Sequence, residues 1–326
     1  MTATALVAAD LVLAGKGILC LDQSTPAVDA RLRAAGVAPG ASTRLAYLSM
    51  LTGTPGLSLG ISGVSVNEEA LFADGVAAAL AGRGLLAGIR ADTGTWPLAG
   101  APGETVTEGL DGLTARLASY AALGARFATW RAVLRAGHGR PSWRALRANA
   151  SALGRFALSC QEAGVVAVAE VAIEGAAGPE VTSAALMVTV SELTEMGVAL
   201  DGVVLKTGMV PAAAVPRVVA EQTLAALWCV VPEEMAGVAF LAGGRSPARA
   251  TADLAAVRRL GAPWPVTFAF GRALTGPALA AWHGDPSCVA AGQRALANRV
   301  ACTIAALQGR YTPVLEPGYV LAPVLS

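Results

Sequence analysis

The chain has 326 residues, enough for one large domain or two ordinary ones. Its 24 Lys plus Arg nearly balance 23 Asp plus Glu, which argues against nucleic-acid partners and against a charged membrane surface. Composition is 54% hydrophobic and 14% charged with mean hydropathy +0.55, but the longest charge-free stretch, Leu45 to Asn67, is broken by Gly53, Pro55, Gly56, Gly60 and Gly63 and does not read as a membrane span.

In chain order, a short helix over Ala3 to Ala14 comes first. Asp10 interrupts its apolar character and no basic segment precedes it, so no signal peptide is expected. Gly17 to Asp22 reads as an apolar strand ending in a carboxylate. Helices follow over Ala27 to Ala35 and Ser42 to Leu51. Ile61 to Asn67 is a strand, and a helix begins at Glu68. Leu85 to Asp92 is the third strand. A Gly/Pro-rich loop, Gly94 to Gly103, separates it from a helix over Val106 to Leu123. The fourth strand is Ala125 to Arg135. Ser142 is a good N-cap for a helix reaching Ala163. Val165 to Ile173 is the fifth strand, interrupted by Glu170. The helix Glu180 to Met196 leads to the sixth strand, Gly202-Val203-Val204-Leu205-Lys206. Pro216 to Val230 is helical. Gly237 to Leu241 is the seventh strand, closing on Ala242-Gly243-Gly244-Arg245. A helix over Pro247 to Leu260 precedes the eighth strand, Pro265 to Gly271, which ends at Arg272. Helices over Gly276 to Ala281 and Ser287 to Leu307 complete the pattern.

Eight strand-then-helix units with apolar strands imply a parallel sheet covered by helices. At this length they predict an α/β chain folded as a (β/α)8 TIM barrel. An open doubly wound sheet is the runner-up. It would want a glycine-rich nucleotide loop after the first strand, and Asp22-Gln23-Ser24-Thr25-Pro26 is not one. No linker or repeat is evident, so residues 1–326 read as a single domain with a divergent tail from about 310 to 326.

Five cysteines, Cys20, Cys160, Cys229, Cys288 and Cys302, are scattered, odd in number and without a CxxC pair. They read as reduced core residues of a cytoplasmic protein. No His/Cys/Asp cluster shows metal spacing along the sequence, and no serine sits in a nucleophile elbow. His138 and His283 fall in polar turns and read as surface residues. No metal or other cofactor is expected.

Barrel sites lie at the C-terminal ends of the strands. Those ends carry Asp22, Asn67 with Glu68, Arg90 with Asp92, Thr129 with Arg131, Glu170, Lys206, Gly243 with Gly244, and Gly271 with Arg272. Lys206 stands out, because the chain has only two lysines and the other is Lys16. An amine at the end of a buried strand is either paired or shifted toward neutrality. A neutral amine forms Schiff bases with carbonyl substrates. Glu170 and Asp22 are the carboxylates able to move protons or hold hydroxyls, and a glycine turn backed by arginine suits a phosphate. The plainer alternatives are ion pairs of Asp22 and Glu170 with Arg90 and Arg131, and Gly243-Gly244 as only a tight turn. Arg245 is expected to point to solvent.

Pro97-Leu98-Ala99-Gly100, Thr107-Glu108-Gly109-Leu110-Asp111-Gly112-Leu113, Leu205-Lys206 with Met209-Val210, Gly271-Arg272-Ala273-Leu274, Arg294-Ala295-Leu296-Ala297-Asn298 and Gly309-Arg310-Tyr311-Thr312-Pro313 carry a family resemblance. Over roughly residues 5 to 313, the chain resembles class I fructose-1,6-bisphosphate aldolases of animals and plants. The resemblance implies a (β/α)8 barrel and a Schiff-base lysine at Lys206. It implies an acid/base glutamate at Glu170 and a hydroxyl-handling aspartate at Asp22. It also implies phosphate contacts at Gly243, Gly271 and Arg272, and assembly as a homotetramer. Arg131 matches the arginine of the family's Lys-Trp-Arg. Ser24, Arg31 and Arg90 would form a far phosphate site.

The departures bear on the reaction. The family's lysine of Lys-Trp-Arg is Thr129 here, and a second glutamate is Ala172. Two phosphate-site serines are Ala242 and Ala269, a glutamate beside Asp22 is Gln23, and another serine is Ala27. Arg90 stands where the family has a lysine and would partly replace the missing charge. The family ends in a tyrosine that transfers a proton from the enamine, whereas Val320 to Ser326 contains none. Three readings follow. The first is a Schiff-base aldolase-like lyase acting on a ketone, such as dihydroxyacetone phosphate or a related sugar phosphate, with an acceptor other than glyceraldehyde 3-phosphate, in a specialised biosynthetic pathway. The second keeps the imine but catalyses a condensation, elimination or isomerisation. The third is a non-catalytic binding barrel. The expected partner is a small carbonyl compound, with no role for nucleic acid or membrane.

Overall fold

The computed structural model describes residues 2–73, 75–175, 177–210 and 215–316. The divergent tail beyond residue 316, where the missing tyrosine was noted, lies outside the described residues. Eight parallel strands close into a barrel: β1 (Gly17–Leu21), β2 (Ile61–Val66), β3 (Leu86–Arg90), β6 (Phe127–Arg135), β7 (Val166–Glu174), β8 (Val203–Gly208), β9 (Gly237–Leu241) and β10 (Val266–Phe270). Each strand pairs with the next in this sequence, and β1 closes the ring against β10. The α/β barrel is the expected architecture.

The wrapping helices include α2 (Thr25–Ala34), α3 (Ala41–Thr52), α6 (Leu113–Ala122), α7 (Trp143–Glu162), α8 (Pro179–Glu195), α9 (Pro216–Trp228), α10 (Pro247–Leu260), α11 (Arg272–Trp282) and α12 (Val289–Leu307). Their starts are chemically marked. The Ser142 side chain accepts from the Ala145 N–H ahead of α7, and Ser246 accepts from Arg249 ahead of α10. No described helix is long and apolar enough to cross a membrane.

The region after β2 differs from expectation. Two short helices, α4 (Glu68–Phe72) and α5 (Val76–Ala81), replace one, because the chain turns at Gly75 with φ +77°. The stretch expected as loop and helix contains a hairpin, β4 (Gly94–Pro97) against β5 (Thr105–Glu108), and α6 starts only at Leu113. The run Thr105-Val106-Thr107 is β-branched and favours a strand. Asn149 of α7 fixes it, accepting from the Thr107 N–H at 3.1 Å and donating to the Thr105 carbonyl at 2.9 Å.

Side chains alternate in and out along each strand, so the barrel interior is built in layers. Its lower part is apolar: Ile18, Phe127, Val166, Val168, Val204, Ala239 and Ala269. Helix α1 (Ala3–Leu11) adds Val7, Ala8 and Leu11 to this cluster. Phe127 fills space that two glycines leave open. A Cβ on Gly88 would lie 2.1 Å from its ring, and one on Gly63 would lie 2.8 Å away. Above this floor the inward residues become polar, which places the functional side chains at the mouth. At the turn between α11 and α12, His283, Asp285 and Cys288 bring ligand atoms within 4.8 Å of one another, a grouping that their spacing in the sequence did not suggest.

Candidate active site

A cavity of about 780 Å³ opens at the C-terminal ends of the strands. Asp22, Ser24, Arg90, Thr129, Arg131, Glu170, Lys206, Gly243, Gly244, Gly271 and Arg272 all line it. Only Arg31 among the expected site residues does not. It donates to Gln23 Oε1 at 2.7 Å and Thr275 Oγ1 at 3.0 Å, and it lines a smaller adjoining pocket of about 190 Å³. Of the expected far phosphate grouping, Ser24 and Arg90 line the larger cavity and Arg31 the smaller one, and Gln23 lines both. Arg90 is held by its neighbour Asp92, with Nη2 at 2.7 Å from Oδ1 and Nε donating to both oxygens. The charge expected to replace part of the one missing at Thr129 is thus already paired with Asp92.

Three adjacent strands deliver the centre at one level. Arg131 on β6 registers with Glu170 on β7, and Glu170 registers with Lys206 on β8. Glu170 bridges its two neighbours: Oε1 lies 3.0 Å from Arg131 Nε and Oε2 lies 2.7 Å from Lys206 Nζ. Lys206 is only 3% exposed. Burial, the largest single influence, favours its neutral form. The Cys20 sulfur, Glu170 and Asp22 together outweigh burial and hold the amine above the ordinary lysine range. Cys20 itself is pushed up to about 12, chiefly by burial, so near neutrality its thiol is uncharged and the two carboxylates hold the ammonium. Of the two fates open to a buried lysine, the resting state is the paired one.

Supporting residues fix the set. Ser65 on β2 donates its hydroxyl to Asp22 Oδ2 at 2.7 Å. Asp92 also accepts from the Arg131 N–H at 3.1 Å and the Gly94 N–H at 3.1 Å, tying β3, β6 and the hairpin together. At the opposite wall, Gly271 caps α11 where its backbone crowds β1: a Cβ there would lie 2.9 Å from the Cys20 carbonyl oxygen. Arg272 follows it, exposed and without a hydrogen bond or ion pair among the described residues. Gly243 and Gly244 make a turn with φ +58° and +78°, which side chains rarely adopt. Arg245 does not point to solvent. It pairs with the fully buried Asp253 at 2.8 Å, and Nη2 donates to the Met209 and Val210 carbonyls at 3.1 Å each. A buried carboxylate needs such a counter-charge.

Cys20 and Ser65 were not in the expected site, and Asp92 was read only as a strand-end residue beside Arg90. Cys20 could have been found, since it lies two residues before Asp22 and a strand puts both on one face.

The family model for class-I fructose-bisphosphate aldolase matches residues 4–319. The chain belongs to the class-I fructose-bisphosphate aldolase family. It is 42% identical over 293 residues to a probable fructose-bisphosphate aldolase class 1 of Xanthomonas campestris pv. campestris, covering 84% of this chain and 88% of that protein. It is 37% identical over 324 residues to fructose-bisphosphate aldolase of Drosophila melanogaster, covering 94% and 90%. The solved fructose-bisphosphate aldolase of Plasmodium falciparum superposes with a TM-score of 0.92 at 34% identity, covering 95% of each chain. The family is one of carbon–carbon lyases, and this chain is an aldolase-type enzyme by membership. Ala27, Thr129, Ala172, Ala242 and Ala269, the small uncharged residues singled out in the sequence, all line the cavity.

Proposed function

We propose that Lys206 forms a Schiff base with a phosphorylated ketone such as dihydroxyacetone phosphate, for carbon–carbon bond formation or cleavage with an acceptor that carries no phosphate. The observation that carries this reading is the 2.7 Å approach of Lys206 Nζ to Glu170 Oε2 inside the cavity. The buried ammonium already touches its base. When a ketone enters, Glu170 takes the ammonium proton, and the neutral amine attacks the carbonyl carbon. Glu170 then returns a proton to the carbinolamine oxygen, water leaves, and the imine forms. Loss of a proton or a carbon fragment from the adjacent carbon gives the enamine. Asp22, held by Ser65, serves the substrate hydroxyls.

The phosphate goes to Arg272, with backbone N–H groups at Gly271 and at the Gly243-Gly244 turn. Arg90, Arg131 and Arg245 also line the cavity, but each is engaged by a carboxylate: Asp92, Glu170 with Glu174, and Asp253. That leaves Arg272 as the unpaired cavity arginine among the described residues, which supports one phosphate seat rather than two. Thr129 and Ala172 leave the acceptor side without added charge. This chemistry suits a specialised biosynthetic pathway, run by a single-domain barrel that works as a homo-oligomer.

Borohydride reduction in the presence of dihydroxyacetone phosphate, followed by peptide mass spectrometry, tests the imine. The expected adduct sits on Lys206 and is absent in Lys206→Ala. No adduct with any ketone tried would sink the reading. An adduct without product from any aldehyde would favour a non-aldol imine step instead.

A further inference from the structure

The turn joining α11 to α12 carries a donor set that the barrel chemistry does not use. His283, Asp285 and Cys288 each offer one atom, and these atoms lie within 4.8 Å of one another. Ligands around a tetrahedral zinc ion sit about 2.0–2.3 Å from the metal, so a small contraction of this set would enclose an ion. We infer that His283, Asp285 and Cys288 form a binding site for a borderline-soft divalent metal ion, with zinc the best chemical fit.

The donor types select the metal class. One imidazole nitrogen, one thiolate sulfur and one carboxylate oxygen are zinc ligands, whereas magnesium and calcium favour oxygen alone. Three protein donors leave a fourth position, and the half-exposed setting lets water fill it.

The backbone brings the three together. His283 ends α11 at φ +37°, and it is the sole non-glycine residue with positive φ among the described residues. Such a backbone is uncommon for a residue with a side chain, though histidine tolerates it better than most. Gly284 follows at φ +83°, and a Cβ there would lie 2.8 Å from Val37. The turn is then pinned by the Asp285 N–H donating to the Trp282 carbonyl and the Cys288 N–H donating to the Asp285 carbonyl, each at 3.0 Å. Ser287 donates from its backbone N–H and its hydroxyl to Asp285 Oδ1, at 2.8 and 2.7 Å. These bonds orient the carboxylate and leave Oδ2 without a hydrogen bond among the described residues. Partners of this kind commonly hold metal-binding carboxylates in place.

The site is separate from the cavity. Helix α11 starts at Arg272 and ends before His283, a length of about 16 Å at 1.5 Å per residue. A bound ion would tie the end of α11 to the start of α12.

Cobalt(II) titration of the reduced full-length protein tests the site, because a cobalt–thiolate bond gives a charge-transfer band. The expected result is one equivalent bound with that band, displaced by zinc. His283→Gly, Cys288→Ser and Asp285→Asn should each weaken binding at least about tenfold. His283→Gly also relieves the left-handed backbone, so loss of binding there cannot be ascribed to misfolding. Zinc should raise the melting temperature of the parent but not of the three variants. No thiolate band in the parent, or parent-like binding in all three variants, would overturn the inference. Imine trapping on Lys206 reads out the barrel chemistry independently.

Discussion

Lys206 and Glu170 are register partners on neighbouring strands, and their side chains meet at 2.7 Å with almost no solvent contact. Removing one member strands the other. Glu170→Gln should destabilise the fold by about 3–5 kcal/mol, whereas Lys206→Met with Glu170→Leu should recover much of that loss. Chemical denaturation checks both. Glu170→Gln should also cut turnover about 10²- to 10⁴-fold, as expected for loss of a proton carrier.

The same pair sets a pH dependence. The folded amine is held above the ordinary lysine range. Its contribution to stability is therefore fully present below the unfolded lysine value, about 10.4. It falls as pH rises from there through the folded value, because the unfolded chain sheds its proton first. The stability difference between the parent and Lys206→Met should be flat from pH 7 to about 10 and shrink above that. A difference that stays constant into the alkaline range would contradict the ion-paired resting state.

Arg272 makes no structural hydrogen bond or ion pair among the described residues, so its loss should affect substrate more than fold. Arg272→Ala should raise KM for a phosphorylated ketone about tenfold to a hundredfold, the range for losing a charged hydrogen bond. The melting temperature should stay within a degree or two of the parent, roughly the effect of a surface change. Steady-state kinetics with phosphorylated and unphosphorylated ketones separate the two effects.

Thr129 and Ala172 define the uncharged wall. Thr129→Lys together with Ala172→Glu should raise fructose bisphosphate cleavage above the parent. Thr129→Lys alone should lower thermal stability, since it adds a buried ammonium without a new counter-charge. A parent that already cleaves fructose bisphosphate as fast as the double variant would refute the role given to this wall.

Cys20 is pushed up to about 12, so near neutrality it holds about a thousandfold less thiolate than an ordinary cysteine. Iodoacetamide should label the exposed Cys229 well before Cys20, and mass spectrometry of a time course shows the order. Rapid labelling of Cys20 would mean that the cavity thiol is far more acidic than its surroundings allow.

Barrel topology was legible because short β-branched runs such as Val203-Val204-Leu205, bounded by glycines, read as buried strands, and eight of them alternate with helices. Lys206 and Glu170 were legible as strand-end polar residues for the same reason. Their pairing was not, because it depends on the register between β7 and β8. Arg31 shows the opposite case. The family resemblance placed it with Ser24, whereas its hydrogen bonds run to Gln23 and to Thr275, 244 residues away, contacts no local pattern shows. The hairpin escaped notice because Gly and Pro between Gly94 and Gly103 mask its strand character, and Asn149 supplies the deciding contacts from α7. Cys288 was read as one scattered thiol, since a turn with an unusual backbone is what brings it to His283 and Asp285.

Phe127 sits where Gly63 and Gly88 make room for it, beneath the polar layer. Depth is therefore not an adjustable dimension of this scaffold. Any larger residue at either glycine collides with the ring, and any smaller residue at 127 opens a void in the floor. Changes of substrate must come from the rim, through cavity-lining side chains such as those at 27, 129, 172, 242 and 269. An engineer who wishes to retune the enzyme would leave the lower barrel alone and randomise those five positions first.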